Sequence, residues 1–317
     1  MHVALASLYL NTMKKSFLTC LTLLALIAPQ FGFAQLGSGV LDGAYVKETN
    51  PTRRVIEYPY LREADVLWVK RVWVDVDLRQ KINHPLYYPL QPINERRCLF
   101  DVIKRELMDR GSMVAFPGVT PDGDFVWDFK YAQLTKEQTE LAMGKKEKKV
   151  IYDEDPNSEN YGMPIGDSTI VKPLSPEDIV RYRIKEDWIF DKQRSQRYIR
   201  IIGLAPMIYD ETAAQLGFED EGSGSAGKLL KPMFWLYYPE WRYVLANYTV
   251  FNPNNPAQEM SFDDLFQKRW FNGMVVKDDN VYDRSLEQTW GKGLDVLLAG
   301  EEIKEQLFVR EHDVWHY

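Results

Sequence analysis

The sequence predicts an α+β fold with two lobes of mixed helices and antiparallel strands. Runs rich in Val, Trp and Tyr at strand spacing alternate with runs of helical periodicity. The turn sequence Thr-Pro-Asp-Gly-Asp at residues 120–124 joins two strand-like runs into a β-hairpin. The order Leu-Tyr-Tyr-Pro, helix, Gly, strand occurs twice, beginning at residues 86 and 236. This self-similarity suggests an internal duplication.

The N-terminus predicts export. Lys14 and Lys15 precede an apolar run at residues 17–28, and residues 32–34 match a small-x-small cleavage site. The run is too short to span a bilayer comfortably, so a cleaved signal peptide is favoured over a membrane anchor. Residues 1–12 contain no Lys or Arg, and translation is therefore expected to begin at Met13.

Composition divides the chain into five segments. They are the signal peptide (1–34), an extended Gly-rich leader (35–54), a first α+β lobe (55–133), a mobile connection (134–174) and a second α+β lobe with a C-terminal helix (175–317).

The first lobe opens with a strand that begins near Trp68 and leads through an Asn-His-Pro turn into an aromatic run. Trp, Tyr and Arg concentrate binding energy at buried contact centres. The predicted partner contacts are therefore Trp68, Arg71, Trp73, Arg79, Tyr87 and Tyr88. Core packing is the alternative, and for Trp73 it is the stronger one.

The remaining elements follow from periodicity and cap signals. The first lobe continues with a helix over residues 95–110, a stop at Gly111, a strand over 113–116 and the second hairpin strand over 125–129. In the second lobe, Ser175 and Ser261 are helix caps. The elements predicted there are a helix from residue 176, a strand over 198–202, a helix over 262–271 and a strand over 274–277. The last helix, over residues 294–309, is expected to break near Gly300 and to dock on its own domain.

Charge excludes some partners. The 317-residue chain is 45% hydrophobic, so it can bury a substantial core. Removing the signal peptide leaves 37 basic against 46 acidic side chains. A protein of this net negative charge without a basic binding module is not expected to bind nucleic acid.

Known chemical motifs are lacking in the sequence. Cys98 is the only cysteine of the mature chain, so no intrachain disulfide can form, and a small buried residue is favoured over a reactive thiol. His312 and His316 have ligand spacing, but the complement of Cys and His is too thin for a metal site. The acidic pairs at residues 75 and 77 and at 263 and 264 are interpreted as ion-pair and helix-start carboxylates. No cofactor or catalytic residue is predicted.

Several stretches resemble the gliding-motility and type IX secretion N-protein family, GldN/PorN. The resemblance runs from about Tyr45 to the C-terminus and rests on Lys-Arg-Val-Trp (70–73), Asp-Leu-Arg-Gln-Lys-Ile-Asn-His-Pro (77–85), Tyr-Tyr-Pro (87–89), Trp-Leu-Tyr-Tyr-Pro (235–239), Val-Phe-Asn-Pro (250–253), Phe-Asp-Asp-Leu-Phe-Gln-Lys-Arg (262–269) and Asn-Val-Tyr-Asp-Arg (280–284).

This resemblance implies a non-enzymatic periplasmic subunit of the type IX secretion machinery of Bacteroidetes. It implies three kinds of contact as well. The subunit would form a ring with an outer-membrane K-type lipoprotein, self-associate within that ring, and bind the periplasmic domain of the inner-membrane M-type motor protein. The lipoprotein would hold the ring at the outer membrane, and the N-protein would have no membrane span. The competing class is a periplasmic carbohydrate or peptidoglycan-binding module or hydrolase, which requires exposed aromatics beside two carboxylates of different pKa.

Overall fold

A computed structural model describes residues 54–93, 96–120, 124–152, 164–209, 230–255, 258, 260–291 and 293–314, with the backbone alone over 145–152 and 164–171. The predicted signal peptide, nearly all of the leader and His316 lie outside these ranges. The strands are β1 (Val66–Asp77), β2 (Phe116–Pro117), β3 (Gly144–Tyr152), β4 (Pro164–Pro173), β5 (Arg181–Asp191), β6 (Gln196–Tyr209), β7 (Leu230–Pro232), β8 (Phe234–Tyr237), β9 (Thr249–Val250), β10 (Met260–Ser261) and β11 (Met274–Asp278). The α-helices are α1 (His84–Tyr87), α2 (Leu99–Lys104), α3 (Lys136–Ala142), α4 (Tyr238–Leu245), α5 (Phe262–Gln267), α6 (Leu286–Trp290) and α7 (Leu294–Asp313).

One antiparallel sheet organises the described residues and confirms the predicted α+β class. Its strand order is β11-β1-β5-β6-β8-β2, with β7 also paired to β6. The valine- and tryptophan-rich run predicted as a strand is β1, which pairs with β5 along nearly its whole length. The sheet thus joins strands from both predicted lobes, because β1 lies between β11 and β5.

Helices cover one face of this sheet. Val76, Ile184 and Leu204 point into a large core that also contains the apolar sides of α2, α4 and α5. Val72, Val74 and Val275 pack separately against α6 and α7. Every second residue of β1 from Val72 to Val76 therefore faces helices, as strand periodicity requires.

An irregular segment covers the other face, where a hairpin was predicted. Residues 125–129 form no strand, and Phe125 makes a single bridge to Val119. The indole of Trp235 donates to the carbonyl of Val126 at 2.6 Å, and the indole of Trp73 donates to the carbonyl of Trp127 at 3.1 Å. The predicted hairpin is thus reduced to this bridge and two backbone hydrogen bonds, from Val126 to Gly118 and from Thr120 to Asp124, both at 2.9 Å. The predicted second strand is absent from residues 125–129, where the carbonyls of Val126 and Trp127 accept from buried indoles.

Buried cations lie on the same face of the sheet. The Lys185 ammonium binds the Asp128 carboxylate, and burial lowers the pKa of Lys185 to about 8. Lys277 is fully buried beside Trp73 and Trp127, with its Nζ 4.9 and 4.7 Å from their ring centroids and 2.6 Å from Asp283. Aromatic faces and carboxylates thus compensate for the lost hydration of these two lysines.

Several predicted element bounds change in the structure. The helix predicted over residues 95–110 begins at Leu99 as α2, because Cys98 is its N-cap. Gly111 ends this helical region with φ +59°, at the position where the stop was predicted. Ser175 begins only one 3-10 turn, Pro176–Asp178, since β5 starts at Arg181. The helix capped by Ser261 ends at Gln267, shortly before Arg269 takes φ +54°.

The predicted connection contains regular structure. Helix α3 carries a capping box formed by Thr135 and Gln138, and β3 pairs with β4 in a separate two-stranded sheet. The lysine cluster at residues 145–149 hides the alternation of apolar and polar residues by which β3 could have been predicted. The duplication stays a hypothesis: the first Leu-Tyr-Tyr-Pro motif lies at the end of α1, and the second leads into α4.

Helix α7 is continuous through Gly300, so the predicted interruption was wrong. This glycine is buried against β11, and a Cβ placed on it would lie 2.9 Å from the carbonyl oxygen of Val275. The absence of a side chain allows the helix to approach the sheet closely, and docking on the parent domain is confirmed.

We expect Gly300→Ala to lower the free energy of unfolding by about 1–3 kcal/mol, since the methyl group would displace helix from strand. Helix propensity alone would raise stability by about 1 kcal/mol, so the sign of the change separates the two effects. Urea unfolding measures it, with exposed Glu305→Ala in the same helix as the control. A Gly300→Ala protein as stable as the wild type would contradict the close approach.

Candidate interaction groove

The described structure has an open groove of about 960 Å³. Segments distant in sequence form its walls: the turn into α1, the residues before α2, the β9 to β10 region and the end of α5. Its lining is mainly apolar and aromatic and includes Ile82, Tyr88, Ile93, Phe251 and Trp270. A cleft of this size and composition is typical of a binding site.

The apolar side chains of the groove are accessible to solvent. Ile82 is 54% exposed, Ile93 51%, Tyr88 49%, Phe251 49% and Trp270 36%. Exposed apolar residues that occur singly are ordinary, but a contiguous group of them marks a surface that binds something.

A buried asparagine fixes two walls of the groove relative to each other. Asn83 donates from Nδ2 to the carbonyls of Asp77 at 2.8 Å and Asn272 at 2.9 Å. Its Oδ1 accepts from the backbone N–H of Asn272 at 2.9 Å. Asn83 thereby ties the turn before α1 to the segment after α5, although 189 residues separate them.

The charged side chains among the described lining residues of the groove are all basic. Its described lining contains Lys81, Arg96, Arg97 and Arg269 and no Asp or Glu. Arg97 already binds Asp101, and Arg269 binds the buried Glu186 at 2.8 Å. Lys81 is exposed, and Arg96 lies over the Phe251 ring at 5.9 Å. Lys81 and Arg96 therefore give an apolar groove a net positive character within a negatively charged chain.

The structure separates the six predicted contact residues. Tyr88 lines the groove, and Tyr87 packs edge-on against it with ring centroids 4.9 Å apart. Trp73 is 3% exposed and belongs to the core, as the alternative held. Trp68 is half-buried and stacks on Phe190, with ring centroids 6.1 Å apart. On either side of Trp73, Arg71 holds Asp187 and Arg79 holds Asp77 in ion pairs.

Part of β1 is also accessible. Strand β11 pairs with β1 from Val72 to Asp75, and the backbone N–H of Asp279 donates to the carbonyl of Arg71 at 2.9 Å. Within the described residues, no strand covers that side of residues 66–70. Leu67 and Val69 on this stretch are 48% and 49% exposed. An open strand edge with apolar side chains can accept a strand from another chain.

A second, smaller cavity of about 470 Å³ surrounds Tyr58. Arg242 donates to the carbonyl of Ile56 and Arg200 to the carbonyl of Pro59, both at 2.7 Å. Gln267 donates to the Tyr58 hydroxyl at 2.9 Å, and burial raises the pKa of Tyr58. The first residues of the predicted first lobe, just after the leader, are thus bound to the body of the protein.

The four predicted carboxylates serve structural roles. Asp75 forms a bidentate pair with Arg183 at 2.6 and 2.9 Å. Burial alone would raise the pKa of Asp77, but hydrogen bonds from Arg79 outweigh it and the pKa is lowered. Asp264 completes the capping box of α5. Asp263 accepts from Arg242 and Tyr238, a role that its position at a helix start did not suggest. This arrangement does not support the hydrolase alternative.

Cys98 is 1% exposed, and burial raises its pKa to about 11. The thiol is therefore expected not to react with Ellman's reagent at pH 8 in the folded protein and to react fully in denaturant. A raised folded-state pKa gives stability that is present below pH 9 and is lost as pH rises toward 11. The stability advantage of the wild type over Cys98→Ala should shrink by about 2–3 kcal/mol across that interval. Rapid labelling of the folded protein would contradict this burial.

Other kinds of site find little support in the part of the chain described. None of its helices has the length and apolar character needed to cross a membrane. In the same ranges, no three His, Cys, Asp or Glu side chains are grouped so that they could hold a metal ion.

The fold and the groove define a mixed α+β protein with a large, exposed apolar cleft. The family model for gliding motility associated protein GldN matches residues 61–316. The chain therefore belongs to the GldN family, which confirms the resemblance seen in its sequence, and it is a gliding motility and type IX secretion associated protein. No curated protein matches it.

Sequence reasoning missed most of the groove because the walls come together only through the fold. Of its exposed apolar residues, only Tyr88 was predicted. Ile82 and Phe251 each precede an asparagine and lie next to turns. An apolar side chain in a turn, where no regular element can bury it, is the signal that could have identified them.

Proposed function

We propose that the chain is a non-enzymatic structural subunit of the type IX secretion machinery that works in the periplasm and forms a ring with an outer-membrane K-type lipoprotein. The groove carries this proposal, because it combines exposed aromatic and aliphatic side chains with arginines, the composition of protein interface centres. Its shape is set by buried ties such as Asn83, so little ordering is needed on binding.

The accessible part of β1 is a second surface. Leu67 and Val69 are exposed there, Trp68 lies on the same stretch, and Arg71 follows it directly. We propose that it meets the periplasmic domain of the inner-membrane M-type motor protein. Separate surfaces would let one subunit hold a ring neighbour or lipoprotein and the motor at the same time.

Purification of the tagged chain from the envelope of its native bacterium tests the proposal. We expect it in the periplasmic or outer-membrane-associated fraction together with the K-type lipoprotein, and ring-shaped particles by electron microscopy. Recovery of the chain alone as a monomer, with protein secretion intact after deletion of its gene, would refute the proposal.

A further inference from the structure

The connection between β6 and β7, residues 210–229, has a composition complementary to the groove. Its sequence Asp-Glu-Thr-Ala-Ala-Gln-Leu-Gly-Phe-Glu-Asp-Glu, residues 210–221, places Leu216 and Phe218 between acidic groups on both sides. The groove offers an apolar lining with Lys81 and Arg96 and, among its described residues, no carboxylate. Apolar contact and opposite charge would therefore favour the same pairing.

The described fold fixes where this segment leaves the protein. Tyr209 and Leu230, the described residues on either side of the segment, are paired in β6 and β7. Tyr209 lies close enough to Arg79 to interact with its charge. The two described residues that flank the segment thus lie next to the strand end that leads to Lys81. Two occupants must be distinguished: the segment of the same chain and that of another copy.

We propose that the groove of one subunit binds the 210–221 segment of a second copy of the chain. The inference rests on the proposed ring. Groove and segment are different surfaces, so their contact is head-to-tail, and head-to-tail contacts between identical subunits close into rings or extend into filaments. A groove that bound another groove would produce only a twofold dimer.

Two variants of the mature chain, residues 35–317, isolate the two surfaces. Leu216→Asp with Phe218→Asp removes the apolar centre of the segment, and Ile82→Glu with Phe251→Glu places charge in the groove. Each variant alone should remain monomeric in sedimentation velocity at concentrations where the wild type associates. An equimolar mixture should form a heterodimer, because it retains one intact groove and one intact segment. A mixture that stays monomeric would overturn the proposal and indicate binding within one chain.

A labelled peptide of residues 210–221 tests the chemistry directly. By fluorescence anisotropy it should bind the Leu216→Asp, Phe218→Asp chain, and it should bind at least tenfold more weakly when its acids are replaced by amides. Reversal of the groove charges, Lys81→Glu with Arg96→Glu, should cause a similar loss, and a peptide with lysines in place of its acids should restore binding to that variant. Failure of the first peptide to bind, or equal binding of the amide peptide, would overturn the proposal.

These outcomes are independent of the type IX assignment. If the peptide and the mixture both fail while the chain still purifies with the lipoprotein in rings, the groove occupant is wrong and the proposed function stands. If the chain self-associates as described but purifies without the lipoprotein, the groove occupant is right and the proposed function is wrong.

Discussion

Asp263→Ala should destabilise the fold by about 3–5 kcal/mol, the cost of leaving one member of a buried ion pair without its partner. Asp263 accepts from Arg242 at 3.0 and 3.2 Å and from the Tyr238 hydroxyl at 3.0 Å. The side chains of Arg242 and Asp263 are 5% and 8% exposed. Alanine would leave the guanidinium and the hydroxyl buried with fewer acceptors, although Arg242 would keep its hydrogen bond to the carbonyl of Ile56.

The neighbouring carboxylate supplies a matched control. Asp264 accepts from the backbone N–H and the hydroxyl of Ser261 at the start of the same helix. Asp264→Ala should cost only about 1 kcal/mol, as the loss of a capping interaction does. Urea unfolding of both variants at pH 7 measures the difference. Equal costs would show that the buried pair with Arg242 contributes no more than a cap.

Ile82→Glu combined with Phe251→Glu should reduce assembly with the other ring components at least tenfold, since each carboxylate would have to be buried without a partner in the interface. The monomer should keep its melting temperature, because both side chains are about half exposed in it. Affinity purification of each tagged variant from the native envelope, with quantification of the recovered partners, measures the effect.

Val281→Glu combined with Tyr282→Glu is the control for that change. These residues are 97% and 76% exposed and lie outside the groove lining. The control therefore replaces two exposed apolar side chains by glutamate at a place away from the groove. Partner recovery should equal that of the wild type. If both double variants lose partners equally, added negative charge rather than the groove would explain the loss.

Local sequence signals predicted the helices and strands better than they predicted which elements pack against each other. The valines of β1, the cap at Ser261 and the stop at Gly111 depend on neighbouring residues, and the sequence displays them. Gly300 was misread because a glycine in a helix has the same sequence signature whether it breaks the helix or lies against a strand. Only the carbonyl of Val275 distinguishes the two.

The groove was harder to predict than the fold. Tyr88 belongs to an aromatic run with a clear sequence signal, whereas Phe251 and Trp270 reach the same cavity from segments about 160 and 180 residues further along the chain. Such proximity is set by long-range packing and by ties such as Asn83 to Asn272. Trp73 shows the opposite case: a residue suited to an interface is used in the core, where its indole bonds to Trp127.

Hydroxyl-radical footprinting of the free mature chain and of the chain in its native assembly tests the central claim, that the groove is an assembly interface. Oxidation of Tyr88, Phe251 and Trp270 should fall several-fold in the assembly, while Tyr282 and Trp290, which are exposed outside the groove, serve as internal references. Equal oxidation of the three groove aromatics in free and assembled protein would contradict the claim.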